Sequence, residues 1–103
     1  MKSFELTKKA KEDLRKIAKY TEKHWGRDQR YLYAKQFDDV FHLLAENPSV
    51  GKPCDYIKVG YKKFPQSSHM IFYRKGMKSK ITIIRILHKN MDIESKLLSP
   101  INS

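Results

Sequence analysis

The segment Ile81–His88, ITIIRILH, decides how this chain folds. From Ile81 to Leu87 it is apolar on both parities except at Thr82 and Arg85, so it reads as a central strand covered on both faces rather than a half-exposed one. Immediately upstream, KGMKSK is a turn and HMIFYRK a second β-rich run, so the two form a hairpin. YKKF, before PQSS, supplies a third strand, and the serines that follow it read as another turn. Further back, SVGKPCDYIKVG carries Gly51, Pro53 and Gly60, which mark an irregular connection.

The N-terminal half changes period. Phe4 and Leu6 alternate in a short strand, and Thr7 then offers a hydroxyl to cap a helix. From Lys8 to Trp25 the positions Ala10, Leu14, Ile17, Ala18, Thr21 and Trp25 recur at helical steps, with lysines, Glu12 and Asp13 between them on what reads as the solvated face. Gly26 ends this helix and Asp28 is placed to cap a second, whose face is Tyr33, Ala34, Phe37, Val40, Phe41, Leu44 and Ala45, closed by Asn47-Pro48. Trp25 and the aromatics of the second helix fall on this spacing and are expected in the core. The order is strand, helix, helix, strand, strand, strand, an α+β arrangement in which a helical hairpin covers one face of a small twisted antiparallel sheet. The tail MDIESKLLSPINS, with a short helical turn from Ile93 to Leu98, or else a partner, is expected to cover the other face.

A chain of 103 residues without a composition break is expected to form one domain over 1–103. The 22 Lys and Arg outnumber 11 Asp and Glu, a formal charge of +11 that suits an acidic partner: nucleic acid, an acidic protein segment or an anionic membrane surface. The lone Cys54, the lack of an apolar leader and the lack of a membrane-length apolar run point to a soluble cytosolic protein. His24, His42, His69 and His88 are scattered and Cys54 has no CxxC neighbour, so no metal is expected. With no GxGxxG and no Walker loop, no nucleotide cofactor is expected either.

One catalytic chemistry survives this elimination, because metal-free RNA cleavage needs only a base, an acid and cations for the phosphate. Tyr61, Lys62, Lys63, His69, Tyr73, Arg74, Arg85 and His88 all fall on or beside the expected sheet. Strict alternation would send Arg85 and His88 to opposite faces unless a bulge intervenes. His88 and His69 read first as hydrogen-bonded structural histidines. Arg85, a guanidinium inside an apolar strand, needs a carboxylate or carbonyl, for which Asp92 is one candidate, or else a partner.

The stretches FELTKKAKEDLRKIAKYTEKHWGRDQ, LAENPSVGKP, FPQSSHMIFYR and IIRILHKNMD together resemble the ParE branch of the RelE/ParE superfamily, the toxin half of bacterial type II toxin-antitoxin pairs. The resemblance covers nearly the whole chain in order, and HMIFYR with RILHKNMD is its specific part. It implies the helical hairpin on a twisted antiparallel sheet. It implies a ParD-like antitoxin whose acidic, disordered segment wraps the toxin in a hetero-oligomer. It also implies DNA gyrase, through its DNA-cleaving subunit, with DNA bound, as the target. The toxin would then be a non-catalytic cytoplasmic inhibitor that stabilises the cleaved-DNA complex, with Lys62, Lys63, Arg74, Arg85, His88, Met91 and Asp92 as residues that bind antitoxin or target. Where that branch often has glycine after the histidine, this chain has Lys89-Asn90, and Asn tolerates a left-handed turn. The alternative is a RelE-type ribosome-dependent mRNA interferase. A simple nucleic-acid-binding module is the third reading.

Overall fold

The computed structural model describes residues 2–90. Strand β1 (Lys2–Leu6) leads into helices α1 (Lys8–Trp25) and α2 (Arg27–Glu46). A 3-10 turn (Pro48–Val50) then precedes strands β2 (Lys52–Pro53), β3 (Lys62–Gln66), β4 (His69–Lys75) and β5 (Ser79–His88). Met91 and Asp92, together with the expected helical turn and tail cover, lie outside the described residues.

Thr7 caps α1 as expected, its side chain accepting from Ala10 N–H at 3.0 Å. Gly26 serves both helices, with φ of 95°. Asp28 is therefore not the cap of α2; it sits inside the first turn, where its carboxylate still favours the positive helix end. Phe37, Phe41, Leu44 and Ala45 of α2 are buried as expected, while Ala34 is exposed. Trp25 departs furthest from expectation: it is 71% exposed at the tip of the helical hairpin.

The five strands run in the order β1-β5-β4-β3-β2. Pairing from β2 to β5 is antiparallel, but β1 joins β5 in parallel, with Phe4 opposite Ile81 and Leu6 opposite Ile83, so the sheet is mixed. The reason is topological: β1 reaches its neighbour by a long crossover rather than a tight turn, as parallel neighbours require. Strand β5 lies inside the sheet, between β1 and β4, and is buried on both faces. Ile81, Ile83 and Ile86 pack with Ala10, Phe37, Phe41 and Leu44 beneath the helices. Ile84 and Leu87 pack with Phe72, Cys54, Ile57 and Tyr61 on the far side. Among the described residues that far side is covered by the loop from Cys54 to Tyr61, a segment whose sequence marks it only as an irregular connection.

The step from Ile83 to Ile86 on one face is odd-numbered because β5 carries a bulge. Tyr73 opposes Ile83 and Phe72 opposes Arg85, leaving Ile84 as an extra residue. Helix α1 and its cap satisfy the backbone groups displaced there. Thr7 Oγ1 donates to the Ile84 carbonyl at 2.8 Å, and Ile86 N–H donates to Asp13 Oδ2 at 3.0 Å.

Candidate functional site

The bulge determines where the chemistry-bearing residues point. Downstream of it the alternation of β5 is shifted by one residue, which turns Ile86 and His88 to the helical face, while the Arg85 guanidinium, at the bulge itself, reaches Asp13 of α1. Their roles still separate. Arg85 Nε donates to Asp13 Oδ2 at 2.7 Å and Nη2 to Asp13 Oδ1 at 3.0 Å. Both side chains are only 10% accessible. Among the described residues Asp13 is thus a partner of Arg85, although the helical pattern alone assigns it to the solvated face; an acid set among lysines beside Glu12 gives no sequence signal that it turns inward.

His88 is the cross-strand partner of His69, their rings 5.4 Å apart and at 80°. Asn90 N–H donates to His88 Nδ1 at 3.1 Å, which leaves the proton of the neutral ring on Nε2. Tyr33 Oη is hydrogen-bonded to His69 Nδ1 at 3.1 Å. Lys89 N–H donates to the Ser68 carbonyl at 2.9 Å, tying the end of β5 to the β3–β4 turn. The left-handed position in this region is Ser67, with φ of 53°, and not Asn90. Burial holds the His69 imidazole below its ordinary pKa and the neighbouring His88 adds to this, while the Asp13 carboxylate pulls the other way.

These histidines form one wall of a groove of about 860 Å³. Its other wall is α1, through Lys16, Ile17, Tyr20, Thr21 and Trp25, with Gln29 and Tyr33 of α2 closing the end. Tyr20 is 63% exposed and Trp25 71%, so large apolar surface faces solvent beside two imidazoles and one lysine. Thr21 turns its hydroxyl back onto the Ile17 carbonyl at 2.8 Å and leaves an apolar patch on the groove floor. An apolar opening with a few polar groups suits a peptide or protein segment. Sequence periodicity misses Tyr20 and Trp25 as groove residues, because helical spacing cannot tell a stripe that meets the sheet from one that overhangs its end.

Of the other candidates, alternation places Lys62 on the helical side with Phe64, while Lys63 and Arg74 lie on the far face with Phe72. Tyr73 is structural: its hydroxyl donates to the Pro48 carbonyl at 2.7 Å and accepts from Gly51 N–H at 2.8 Å. Tyr61 is buried in the far-side cluster. Among the described residues no group of three or more His, Cys, Asp or Glu could hold a metal ion, and no helix is long and apolar enough to cross a membrane.

Residues 4–93 match the family model described as ParE toxin of type II toxin-antitoxin system, parDE. The chain is 36% identical over 97 residues to "Toxin ParE1" of Caulobacter vibrioides, covering 94% of this chain and 99% of that one. It is 35% identical over 92 residues to "Toxin ParE1" of Mycobacterium tuberculosis, covering 89% of this chain and 94% of the relative. A solved chain described as "Chromosomal ParDE TA system from P. aeruginosa" superposes with a TM-score of 0.70 at 20% identity over 85% of this chain and 96% of that one, a likeness of fold.

Proposed function

Because this chain belongs to the ParE toxin family of type II toxin-antitoxin systems, we propose that it is a non-catalytic inhibitor of DNA gyrase. It stabilises the gyrase complex with cleaved DNA in the bacterial cytoplasm, with residues 1–103 acting as one toxin domain. A ParD-like antitoxin neutralises it by laying an apolar helical segment in the groove beside Tyr20, Trp25 and His88, its acidic residues meeting Lys16 and the basic surface around it. Lys63 and Arg74 on the far face of the sheet, and Lys62 on its helical side, contact the antitoxin or the target. Met91 and Asp92 are further antitoxin- or target-binding residues of this reading, and Arg85 supports the binding surface from beneath.

The observation that carries this reading is the Arg85–Asp13 pair. Metal-free RNA cleavage needs a guanidinium or ammonium on the phosphate beside its acid and base, and the one arginine near His88 in β5 is held in the interior by a carboxylate. The mRNA-interferase reading draws on the adjacent His69 and His88 rings with Lys16 at the groove rim.

Purified toxin in gyrase supercoiling and DNA-cleavage assays, run alongside messenger integrity on translating ribosomes, separates the two. The expected result is gyrase-dependent cleavage, intact messenger, and a His88→Gln variant that retains both toxicity and gyrase inhibition. A general acid or base contributes about 10²- to 10⁴-fold. Wild-type protein that cuts ribosome-bound messenger and leaves gyrase untouched, with a folded but inert His88→Gln, would overturn the gyrase reading.

A further inference from the structure

The face of the sheet opposite the helices carries a charge arrangement that neither the groove nor the core explains. Lys52 of β2 and Lys63 of β3 are directly opposed in the antiparallel pairing. Directly opposed residues share a face, and like charges so placed are destabilising. The loop that covers this face adds Lys58, whose Nζ stands 5.9 Å from the centre of the Tyr61 ring. Alternation along β4 brings Arg74 to the same side as Phe72, with Nη1 donating to the Lys75 carbonyl at 3.0 Å.

None of these four cations bridges a carboxylate among the described residues, although Lys9, Arg27, Arg30, Lys35, Lys80 and Arg85 all do. The acid of the loop, Asp55, turns its Oδ1 to the Gly60 N–H at 3.0 Å. Tyr56, exposed beside them, accepts from Lys63 Nζ at 3.1 Å. Burial raises the Cys54 thiol pKa; the Lys63 charge works against that rise and the Asp55 carboxylate adds to it.

We infer that this face, with Lys52, Lys58, Lys63 and Arg74, binds the phosphate backbone of duplex DNA. The inference deepens the gyrase reading, because the DNA it contacts is the DNA held beside the toxin's target. The geometry favours DNA over an acidic peptide on three counts. Strand β2 is two residues long and contains Pro53, so the sheet edge offers little backbone for an added strand. The loop from Cys54 to Tyr61 already packs over the apolar surface here, through Cys54, Ile57 and Tyr61 on Phe72, Ile84 and Leu87. What remains is a cluster of lysine point charges with a neighbouring phenol, suited to sequence-independent contact with phosphates.

Binding is read by fluorescence anisotropy of a labelled duplex titrated with the full-length wild-type toxin and with a Lys52→Gln/Lys58→Gln/Lys63→Gln variant, without gyrase. Four phosphate contacts predict affinity falling about 150-fold between roughly 50 and 200 mM salt, and the variant, left with Arg74, about 3.5-fold. Circular dichroism of the variant, unchanged because these side chains stand outside the core, keeps a lost fold from imitating lost binding. Equal salt dependence in the two proteins, or wild-type binding to polyglutamate in preference to duplex, overturns the inference. The same pair of proteins is then compared in the gyrase cleavage assay. A wild type without effect on gyrase but with the steep, variant-sensitive slope refutes the gyrase reading and supports the DNA face. A wild type and variant that poison gyrase equally and bind DNA equally refute the DNA face alone.

Discussion

Removing the carboxylate of Asp13 is the perturbation whose outcome the structure constrains most. That group accepts three hydrogen bonds: two from Arg85, at 2.7 and 3.0 Å, and one from Ile86 N–H at 3.0 Å. Asp13→Ala would take two charged acceptors from a buried guanidinium and leave an amide of the bulge without its acceptor. Breaking a buried pair by deleting one partner costs about 3 to 5 kcal/mol, a large part of the ~5 to 15 kcal/mol that holds an ordinary domain together. Arg85→Ala leaves the carboxylate with Ile86 N–H as its one remaining donor among these three, and falls in the same range. The double replacement Asp13→Leu/Arg85→Met removes both charges and refills the volume, so it is expected to lie within about 1 to 2 kcal/mol of wild type and above either single variant. Its residual cost is the unpaired Ile86 amide. Urea unfolding followed by circular dichroism gives the three values from midpoints at constant slope. Should a single variant fail to fold, the folded double still tests the coupling. A single variant within about 1 kcal/mol of wild type, or a double as unstable as the singles combined, would refute the argument.

Three further outcomes follow from the same geometry. Because burial lowers the His69 pKa from its ordinary 6.5, the unfolded chain takes up the proton first. This histidine's contribution to stability is therefore complete above about pH 6.5 and declines as pH falls through the window below; urea midpoints between pH 7.5 and 5 should decrease, and less so in His69→Gln, whereas identical pH dependence would refute the assignment. Trp25→Ala should change stability by no more than about 0.5 kcal/mol, since the ring is 71% exposed. The same change should weaken the proposed antitoxin complex by at least about tenfold in titration calorimetry, and an unchanged affinity would move the antitoxin elsewhere. Gly51→Ala puts a Cβ into the Tyr73 ring, within 2.7 Å of Cε1 and Cζ. A loss of about 1 to 3 kcal/mol is expected, and an unshifted midpoint would show that the 3-10 turn yields freely.

Local chemistry made much of this molecule legible in its sequence. The Thr7 cap, the breaks at Gly26 and Asn47-Pro48, the serine turn and the hairpin through KGMKSK depend on a few neighbouring residues, and each appears where the pattern put it. The burial of β5 on both faces was likewise written in its unbroken apolar run. Four features were decided by tertiary contact alone. The parallel docking of β1 depends on where a crossover of two helices returns the chain, and no residue in KSFEL encodes a direction. The bulge at Ile84 exists because Thr7 and Asp13, more than seventy residues away, satisfy backbone groups that a regular ladder would have paired. Once that single residue is inserted, the later side chains of β5 shift face, which puts Ile86 beneath the helices and brings His88 beside the groove, while Arg85 meets Asp13 at the bulge itself. Trp25 shows the converse: its helical spacing is correct, yet the helical hairpin overhangs the sheet at that end and there is nothing beneath the ring to bury it. Periodicity reports which residues share a face, and the lengths and offsets of the packed elements determine whether that face meets a partner within the chain.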